Sequence, residues 1–264
     1  MTNSATALRT KLGVGGSLLS PPGSNPKVSK NSKKGVMSWV LHLSPAMESG
    51  YEMCPGRSAG CTAACLNFAG NPLYFKAKHA ARKRKTVAFV KQRDDFLNLL
   101  ALEIASGVLK AADAEMEPSF RLNGTSDVLW DQKKFTLYDW VSKKIGRGKA
   151  GQKIDIVNLF SDVQFYDYSA ILRPAKLAPP SNYYIIFSEK EDNRANVLIA
   201  MAQGMNIASV FPKKNVPKVH LGRPVIDGDE SDLRYLDPEG VVVGLKVKGK
   251  FGLADTTGFA HASA

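Results

Sequence analysis

The spacing of apolar residues changes near residue 36. Residues 1–35 carry many Ser, Gly, Pro and Lys residues without regular apolar spacing, which predicts a flexible or loosely draped, basic leader. The apolar run at 37–43 has the composition of a strand and ends at Ser44-Pro45, where proline stops a strand ladder. We therefore expect a leader at 1–35 and a single α/β domain at 36–264.

The segment 72–112 has the spacing of a helix. Its apolar residues fall on one helical face, at Val87, Phe89, Val90, Phe96, Leu97, Leu100 and Ile104. This pattern predicts one long helix or a kinked pair. The strand at 37–43, the following loop and this helix have the order found in parallel α/β proteins, whose chemistry lies on loops at the carboxyl ends of strands.

Further strands are predicted at 120–123, 163–168, 183–187, 207–211 and 241–247, and further helices at 137–145 and 195–203. Strands and helices that alternate favour a parallel sheet. No G-x-G-x-x-G follows the first strand, which argues against a dinucleotide-binding doubly wound sheet. We predict an α/β fold, a partial or irregular TIM-like barrel of about six largely parallel strands with a flexible basic N-terminal leader.

Composition limits the class of protein. A chain of 264 residues with 44% hydrophobic residues can bury a full core. No apolar run approaches the roughly 18 residues of a membrane span, so we expect a soluble protein with no membrane partner. The expected location is the cytoplasm, of a host cell if a phage encodes the chain. No G-x-S-x-G motif is present, so hydrolase chemistry has little support.

The chain is strongly basic, with a net charge of +12 and a pI near 9.5. Basic residues concentrate in the leader, at Lys27, Lys30, Lys33 and Lys34, and after residue 75, at Lys76, Lys78, Arg82, Lys83, Arg84, Lys85, Lys91 and Arg93. Such charge attracts phosphate polymers. It predicts either contact with nucleic acid or a solvated basic face.

The three cysteines, Cys54, Cys61 and Cys65, lie together in a C-x6-C-x3-C loop. An odd count and the absence of a secretory signal argue against disulfides. Three thiolates are one ligand short of a closed four-cysteine site, so one coordination position stays open. A [4Fe-4S] cluster fits this pattern. The alternatives are a zinc ion with His79 or His42 as fourth ligand, and cysteines that only pack.

Polar residues follow several predicted strands. Asn123, Thr125, Ser126 and Asp127 follow one, Asp167 and Ser169 end the next, and Ser188 with Glu189 end a third. The carboxyl ends of parallel strands meet at one edge, so these groups are expected to line one mouth. The acidic run at 227–232 lacks EF-hand spacing. We interpret it as a polar loop in which Asp232 or Asp237 pairs with Arg223 or Arg234.

Four stretches carry a resemblance to a family. They are Cys54-Pro55-Gly56 with Cys61 and Cys65, then 121–127 (RLNGTSD), 163–169 (VQFYDYS), and 225–229 (VIDGD) through 236–238 (LDP). In this order they resemble the gene product eighty-eight-like proteins of phages and plasmids, over residues 37–260. The resemblance implies a fold similar to the radical S-adenosylmethionine barrel and a cluster on the three cysteines. It implies no established reaction.

In that interpretation the loop from Asn123 to Asp127 would bind the amino group of S-adenosylmethionine, and Ser188 or Glu189 its ribose or carboxylate. The chain departs from that superfamily's C-x3-C-x2-C and Gly-Gly-Glu patterns. Two functions therefore follow from the sequence. One is an iron-sulfur enzyme of radical-barrel type acting on an unidentified small molecule. The other is a nucleic-acid-binding protein with a structural cluster or zinc ion.

Overall fold

The computed structural model describes residues 3–24, 27–69, 74–214, 216–249 and 254–261. Within them one main sheet has nine strands: β1 (Leu19–Ser20), β2 (Val36–Leu41), β3 (Glu117–Arg121), β6 (Gln164–Ser169), β7 (Tyr183–Ser188), β8 (Ile207–Phe211), β9 (Val219–His220), β10 (Arg223–Asp227) and β11 (Val242–Lys246). A separate antiparallel pair joins β4 (Phe135–Thr136) and β5 (Lys153–Ile154). The α-helices are α1 (Ala5–Leu12), α2 (Ala59–Ala63), α3 (Phe75–Lys91), α4 (Arg93–Asp113), α5 (Asp139–Ile145), α6 (Ile156–Leu159) and α7 (Arg194–Ala202).

The strand order is β1-β2-β3-β6-β7-β8-β11-β10-β9. Strands β2, β3, β6, β7, β8, β11 and β10 run parallel to one another, as the alternating pattern predicted. The predicted partial or irregular TIM-like barrel of about six strands is wrong. In the described residues the sheet is open, because β1 and β9 turn back antiparallel and occupy its two edges.

The predicted flexible leader also needs correction. Helix α1 packs on α4, where Arg9 forms an ion pair with Glu103 at 3.0 Å. The other carboxylate oxygen of Glu103 accepts the backbone N–H of Leu19 at 3.0 Å. A 3-10 helix, Val28–Lys34, then lies on β2. Order arises here because Leu8, Leu12, Val14 and Leu18 are buried in the main core.

Helices α3 and α4 are the kinked pair that the sequence allowed. The break falls at Gln92, whose backbone leaves the helical region with φ −135° and ψ 53°. Helix α4 restarts at Arg93, and its first turn carries Asp94 and Asp95, which favour a helix N-terminus. Helix α3 therefore projects the basic segment away from the axis of α4.

The two faces of the sheet differ in chemistry. Trp39 and Phe120 stack at 5.2 Å on the face covered by α4. Successive strand residues point to opposite faces, so Ser38 and Ser119 lie on the other face, with their hydroxyl oxygens 2.7 Å apart. Asn31 covers them by donating to Ser38 Oγ at 2.9 Å. Across the described ranges, none of the helices has the length and apolar character needed to cross a membrane.

Candidate functional site

A cavity of about 380 Å³ lies at the carboxyl edge of the parallel strands, on the face away from α4. We call it the cysteine pocket because Cys54, Cys61 and Cys65 all line it. The polar residues predicted from the strand ends line it too: Asn123, Thr125, Ser126, Asp127, Ser188 and Glu189. The structure thus brings nine of the eleven predicted residues to one cavity, because parallel strands end at the same edge of the sheet.

Cys54 is held by the loop after β2. The backbone N–H of Ala46 donates to Cys54 Sγ at 3.4 Å, and the thiol is 3.9 Å from the carbonyl oxygen of Thr125. Ala46 has a φ of 47°, in the left-handed region that a residue with a Cβ rarely adopts. The loop therefore accepts a strained backbone at the residue whose N–H faces the thiol.

Helix α2 carries Cys61. Ser58 caps this short helix by accepting the N–H of Cys61 at 3.1 Å. The carboxylate of Glu191, in the loop after β7, accepts hydrogen bonds from the Ser58 hydroxyl at 2.8 Å and from the N–H of Gly60 at 2.7 Å. At the next cysteine, the N–H of Asn67 donates to Cys65 Sγ at 3.5 Å. The loop after β7 thus fixes the helix that presents the second thiol.

In the described residues the three thiols line one pocket without forming a ready set of ligands. Burial raises the pKa of Cys54 to about 12 and that of Cys61 to about 11, and it raises the pKa of Cys65. They are therefore neutral near pH 7 when no cation is bound. In the described part of the chain, no three His, Cys, Asp or Glu side chains converge in the geometry of a metal site.

The histidines considered as fourth ligand lie outside the cysteine pocket. His79 Nδ1 is 2.9 Å from Glu48 Oε1, and its Nε2 is 3.0 Å from the carbonyl oxygen of Asn67. Both ring nitrogens are therefore engaged. His42 lines a different cavity, next to the first, and its Nδ1 has no hydrogen-bond partner among the described residues.

Asn123 and Thr125 use their side chains to hold the loop after β3. Asn123 Oδ1 accepts the Ser126 hydroxyl, the Val128 N–H and the Trp130 indole N–H, each at 3.0 Å. Thr125 Oγ1 donates to the carbonyl oxygen of Leu43 at 2.6 Å. These two side chains shape the wall of the pocket, and their polar atoms point into the protein.

Two buried carboxyl groups support the same wall. Asp127 accepts the Ser169 hydroxyl at 2.7 Å and the N–H of Ala170 at 2.9 Å. Asp167 accepts the N–H of Asn123 at 2.6 Å and the Tyr183 hydroxyl at 2.8 Å. Burial raises the pKa of Asp167 to about 7, and these two donors offset only part of the effect. Asp167 and Ser169, predicted to reach the mouth, instead lie beneath it.

Glu189 contacts three polar side chains that the sequence analysis did not identify as site residues. Its Oε2 accepts the Ser209 hydroxyl at 2.6 Å and lies 2.7 Å from His220 Nε2 and 3.4 Å from His261 Nε2. The two histidines are far apart in sequence and show no motif spacing. No sequence signal identified this group, because only the folded sheet brings β8, β9 and residues 254–261 to the end of β7.

A second cavity, of about 810 Å³, adjoins the cysteine pocket. We call it the basic cavity because its lining includes Lys27, Lys30, Lys78, Arg82, Lys85 and Arg121. Lys27 and Arg121 also line the cysteine pocket. The fold thus joins the two basic segments of the sequence around one space.

The comparisons with known proteins gave one match. The model of a protein family described as Gene product 88 matches residues 17–262. The match covers the sheet, the cysteine loop and every predicted site residue. Neither the curated proteins nor the solved structures contain a match to the chain.

Proposed function

The chain belongs to the gene product 88 family, and from that premise we propose that it is a phage-type iron-sulfur protein holding a [4Fe-4S] cluster on Cys54, Cys61 and Cys65. One observation carries the proposal. The only three cysteines of the chain line a single pocket at the edge of the sheet where ligand-binding loops gather. Three thiolates bind three irons of such a cluster and leave the fourth iron open.

The surroundings of the thiols suit a cluster. Backbone N–H groups face the sulfurs of Cys54 and Cys65, and hydrogen bonds to sulfur help set the reduction potential of a cluster. The thiols must lose their protons on binding, and iron supplies the positive charge that makes this favourable. No histidine lies among the described residues of the lining, which favours an open fourth position over a closed zinc site.

A cluster with an open iron supplies a coordination position for a substrate or cofactor, and S-adenosylmethionine is our candidate cofactor. Ser188 and Lys190 line the pocket near the end of β7. These two side chains are the groups we assign to ligand contact, because the Ser126 hydroxyl is already bonded to Asn123. Asn123 and Glu189, proposed from the sequence, are engaged in the loops and serve to orient the wall.

Metal analysis tests the proposal. The protein is purified without oxygen, reconstituted, and analysed for iron, sulfide and zinc. We expect about four irons and four sulfides per chain. Cys61→Ser should lower the iron content, whereas Ala63→Ser, which adds the same side chain to an exposed position of α2, should not. Zinc without iron, or equal iron in both variants, would contradict the proposal.

A second experiment tests the cofactor. The reduced, cluster-loaded protein is incubated with S-adenosylmethionine, and its cleavage is followed. Cleavage that is lost in Cys61→Ser would support chemistry of the radical S-adenosylmethionine type. An intact cluster that neither binds nor cleaves this cofactor would leave an iron-sulfur protein of another kind.

Nucleic-acid binding with a structural cluster or zinc ion is the second candidate function. It is favoured by the outer surface of α3, where Lys76, Lys83, Arg84 and Lys91 are exposed. Phosphate contacts give an affinity that falls steeply with salt. Replacing Lys83 and Arg84 with Gln should weaken binding to DNA or RNA, whereas the same change at the exposed pair Lys143 and Lys144 should not. Equal loss in both would indicate non-specific attraction.

A further inference from the structure

The basic cavity has a marked excess of positive charge. Seven cationic side chains line it: Lys27, Lys30, Lys78, Arg82, Lys85, Arg121 and Lys248. Asp229 is the only carboxylate in the described lining. The cations come from the segment before β2, from α3, from the end of β3 and from the segment after β11. Separate parts of the fold therefore direct like charges into one space, against their mutual repulsion.

Four of these cations are bonded to neutral oxygens. Lys30 Nζ donates to the carbonyl oxygen of Asp229 at 2.8 Å, and Lys78 Nζ to that of Ala69 at 3.1 Å. Arg82 donates to Asn67 Oδ1, and Lys85 Nζ to the carbonyl oxygen of Leu18 at 2.7 Å. Among the described residues, none of the four forms a salt bridge with a carboxylate.

The remaining cations do have acidic partners. Lys27 and Arg121 pair with the buried Asp232, at 3.1 and 3.0 Å, and Lys248 pairs with Asp229 at 3.1 Å. The cations without a carboxylate in salt-bridge contact are thus concentrated on the α3 side of the cavity, where Glu48 and Glu103 act on them only through longer-range attraction. Burial lowers the pKa of Lys85 to about 8, which reflects the cost of keeping this ammonium group there.

His42 adds a neutral polar group to the same lining. Its Nδ1 is buried and has no hydrogen-bond partner among the described residues. Burial, and then the charge of Arg82, hold the pKa of His42 well below its usual range, so the ring is neutral. A buried polar atom without a partner is costly unless a ligand or water satisfies it.

The size of the basic cavity indicates what kind of anion it can hold. A volume of about 810 Å³ lies in the range of small-molecule sites. We propose that the basic cavity binds the phosphate groups of a small polyphosphorylated molecule, such as a nucleoside triphosphate. Arg and Lys side chains are the usual partners of phosphate in proteins.

The position of the cavity gives the bound molecule a role. Lys27, Arg121, Gly124, Thr125 and Lys248 line both cavities, so a ligand anchored by its phosphates can extend into the cysteine pocket. This second step rests on the proposed iron-sulfur function and makes the phosphorylated molecule the substrate. Phosphate binding itself requires no metal.

Calorimetric titration of the full chain tests the proposal. Inorganic tripolyphosphate and ATP are the probes, in low salt, with metal-free protein and with cluster-loaded protein. We expect both probes to bind. Changing Lys78 and Arg82 together to Gln should weaken the affinity at least about 10-fold, because two charge-assisted contacts are lost. Changing Lys143 and Lys144, which are exposed on α5 and lie outside the lining, to Gln removes the same charge and should weaken the affinity less than about 2-fold.

A second variant avoids disturbing α3. Lys30→Gln should also weaken the affinity for tripolyphosphate, whereas Lys33→Gln, on the same segment but outside the cavity lining, should not. The proposal would be overturned if the cavity-lining variants and their controls outside the lining weakened binding equally, or if neither probe bound. If the cavity-lining variants bound the probes normally and lost only iron, these cations would stabilise the thiolates, and the proposal would also fail. Anion binding by a protein that takes up no iron would retain the anion site and reject the iron-sulfur function.

Discussion

The Arg121 guanidinium donates to both carboxylate oxygens of Asp232, at 3.0 and 3.3 Å, across 111 residues of chain. Asp232 is fully buried and also accepts the Tyr166 hydroxyl at 3.2 Å. Burial alone would raise the pKa of Asp232, but the charges of Arg121 and Lys27 outweigh it and hold this pKa well below the usual range. This pair joins the end of β3 to the loop after β10, at the floor between the two cavities.

Asp232→Asn should therefore destabilise the protein strongly. It leaves Arg121 and Lys27 buried without their counter-charge, for which we expect a loss of about 3–5 kcal/mol in the free energy of unfolding. The carboxylate's contribution is fully present above pH 4 or so, its unfolded pKa, and is lost as the pH falls toward the depressed folded value. Urea unfolding at several pH values measures both effects.

The exposed pair of Arg147 and Asp162 provides the control for Asp232. Asp162→Asn removes a carboxylate whose side chain is 62% exposed, and it should change stability by no more than about 1 kcal/mol. Equal losses in the two variants at pH 7 would show that burial of the Arg121–Asp232 pair has no special effect on stability.

Asp167 should give the opposite dependence on pH. Its folded pKa, about 7, lies above the unfolded value, so burial of the carboxylate opposes folding increasingly as the pH rises from about 4 to 7. In Asp167→Asn the amide oxygen can accept from Asn123 N–H while the amide N–H donates to Tyr183 Oη. The stability of this variant relative to the unmodified protein should rise by up to about 4 kcal/mol over that interval. Parallel stability curves would contradict the assigned pKa.

Much of the fold could be predicted because its signals are local. Apolar spacing identified the kinked helix pair α3 and α4 and the central parallel strands. The edge strands β1 and β9 have only two residues each, too few for a pattern, and they decide that the sheet stays open. The leader was mispredicted because its Ser, Gly and Lys residues obscured the short apolar set around Leu8 and Leu12.

In the candidate site, too, some features could be predicted from the sequence and others could not. The cysteines and strand-end residues were predictable because chain order alone brings the ends of parallel strands together. Contacts between distant segments carry no such signal. Asp232 pairs with Arg121 and Lys27 rather than with the predicted Arg223 or Arg234. Arg234 instead pairs with Asp237 at 3.3 Å, which was one of the predicted options.

Asn123 should behave as the organiser of its loop. Asn123→Leu removes the acceptor of three buried or partly buried donors and should lower the free energy of unfolding by about 3 kcal/mol or more. Asn123→Asp keeps the acceptor oxygen, and at about pH 4, where the carboxyl can be protonated and donate to the Val128 carbonyl as the amide does, its effect should be smaller. Urea unfolding followed by Trp130 fluorescence measures the difference. A stable Asn123→Leu protein with impaired ligand binding would instead make Asn123 a ligand contact.

Gly60→Ala tests how residues 254–261 cover the cysteine helix. A Cβ on Gly60 would lie 2.7 Å from Phe259 Cβ and 2.8 Å from Glu191 Oε1, and it would also contact Thr257. Phe259 lines the cysteine pocket, and the N–H of His261 donates to the carbonyl oxygen of Val210 at 2.8 Å. The added methyl group should displace this segment and cost about 1–3 kcal/mol. Hydrogen exchange of the His261 amide should become faster.

The control and the chemical consequence of Gly60→Ala are equally specific. Gly16→Ala adds a methyl group where no atom lies within 4 Å, so it should leave the exchange of residues 254–261 unchanged. Cys61 follows Gly60 in α2. Displacement of Phe259 should therefore also expose the Cys61 thiol and speed the alkylation of this thiol. If Gly60→Ala changed neither exchange nor alkylation, the contact between these residues and α2 would not limit access to the cysteines. If it changed both, residues 254–261 would control access of small molecules to the candidate cluster site.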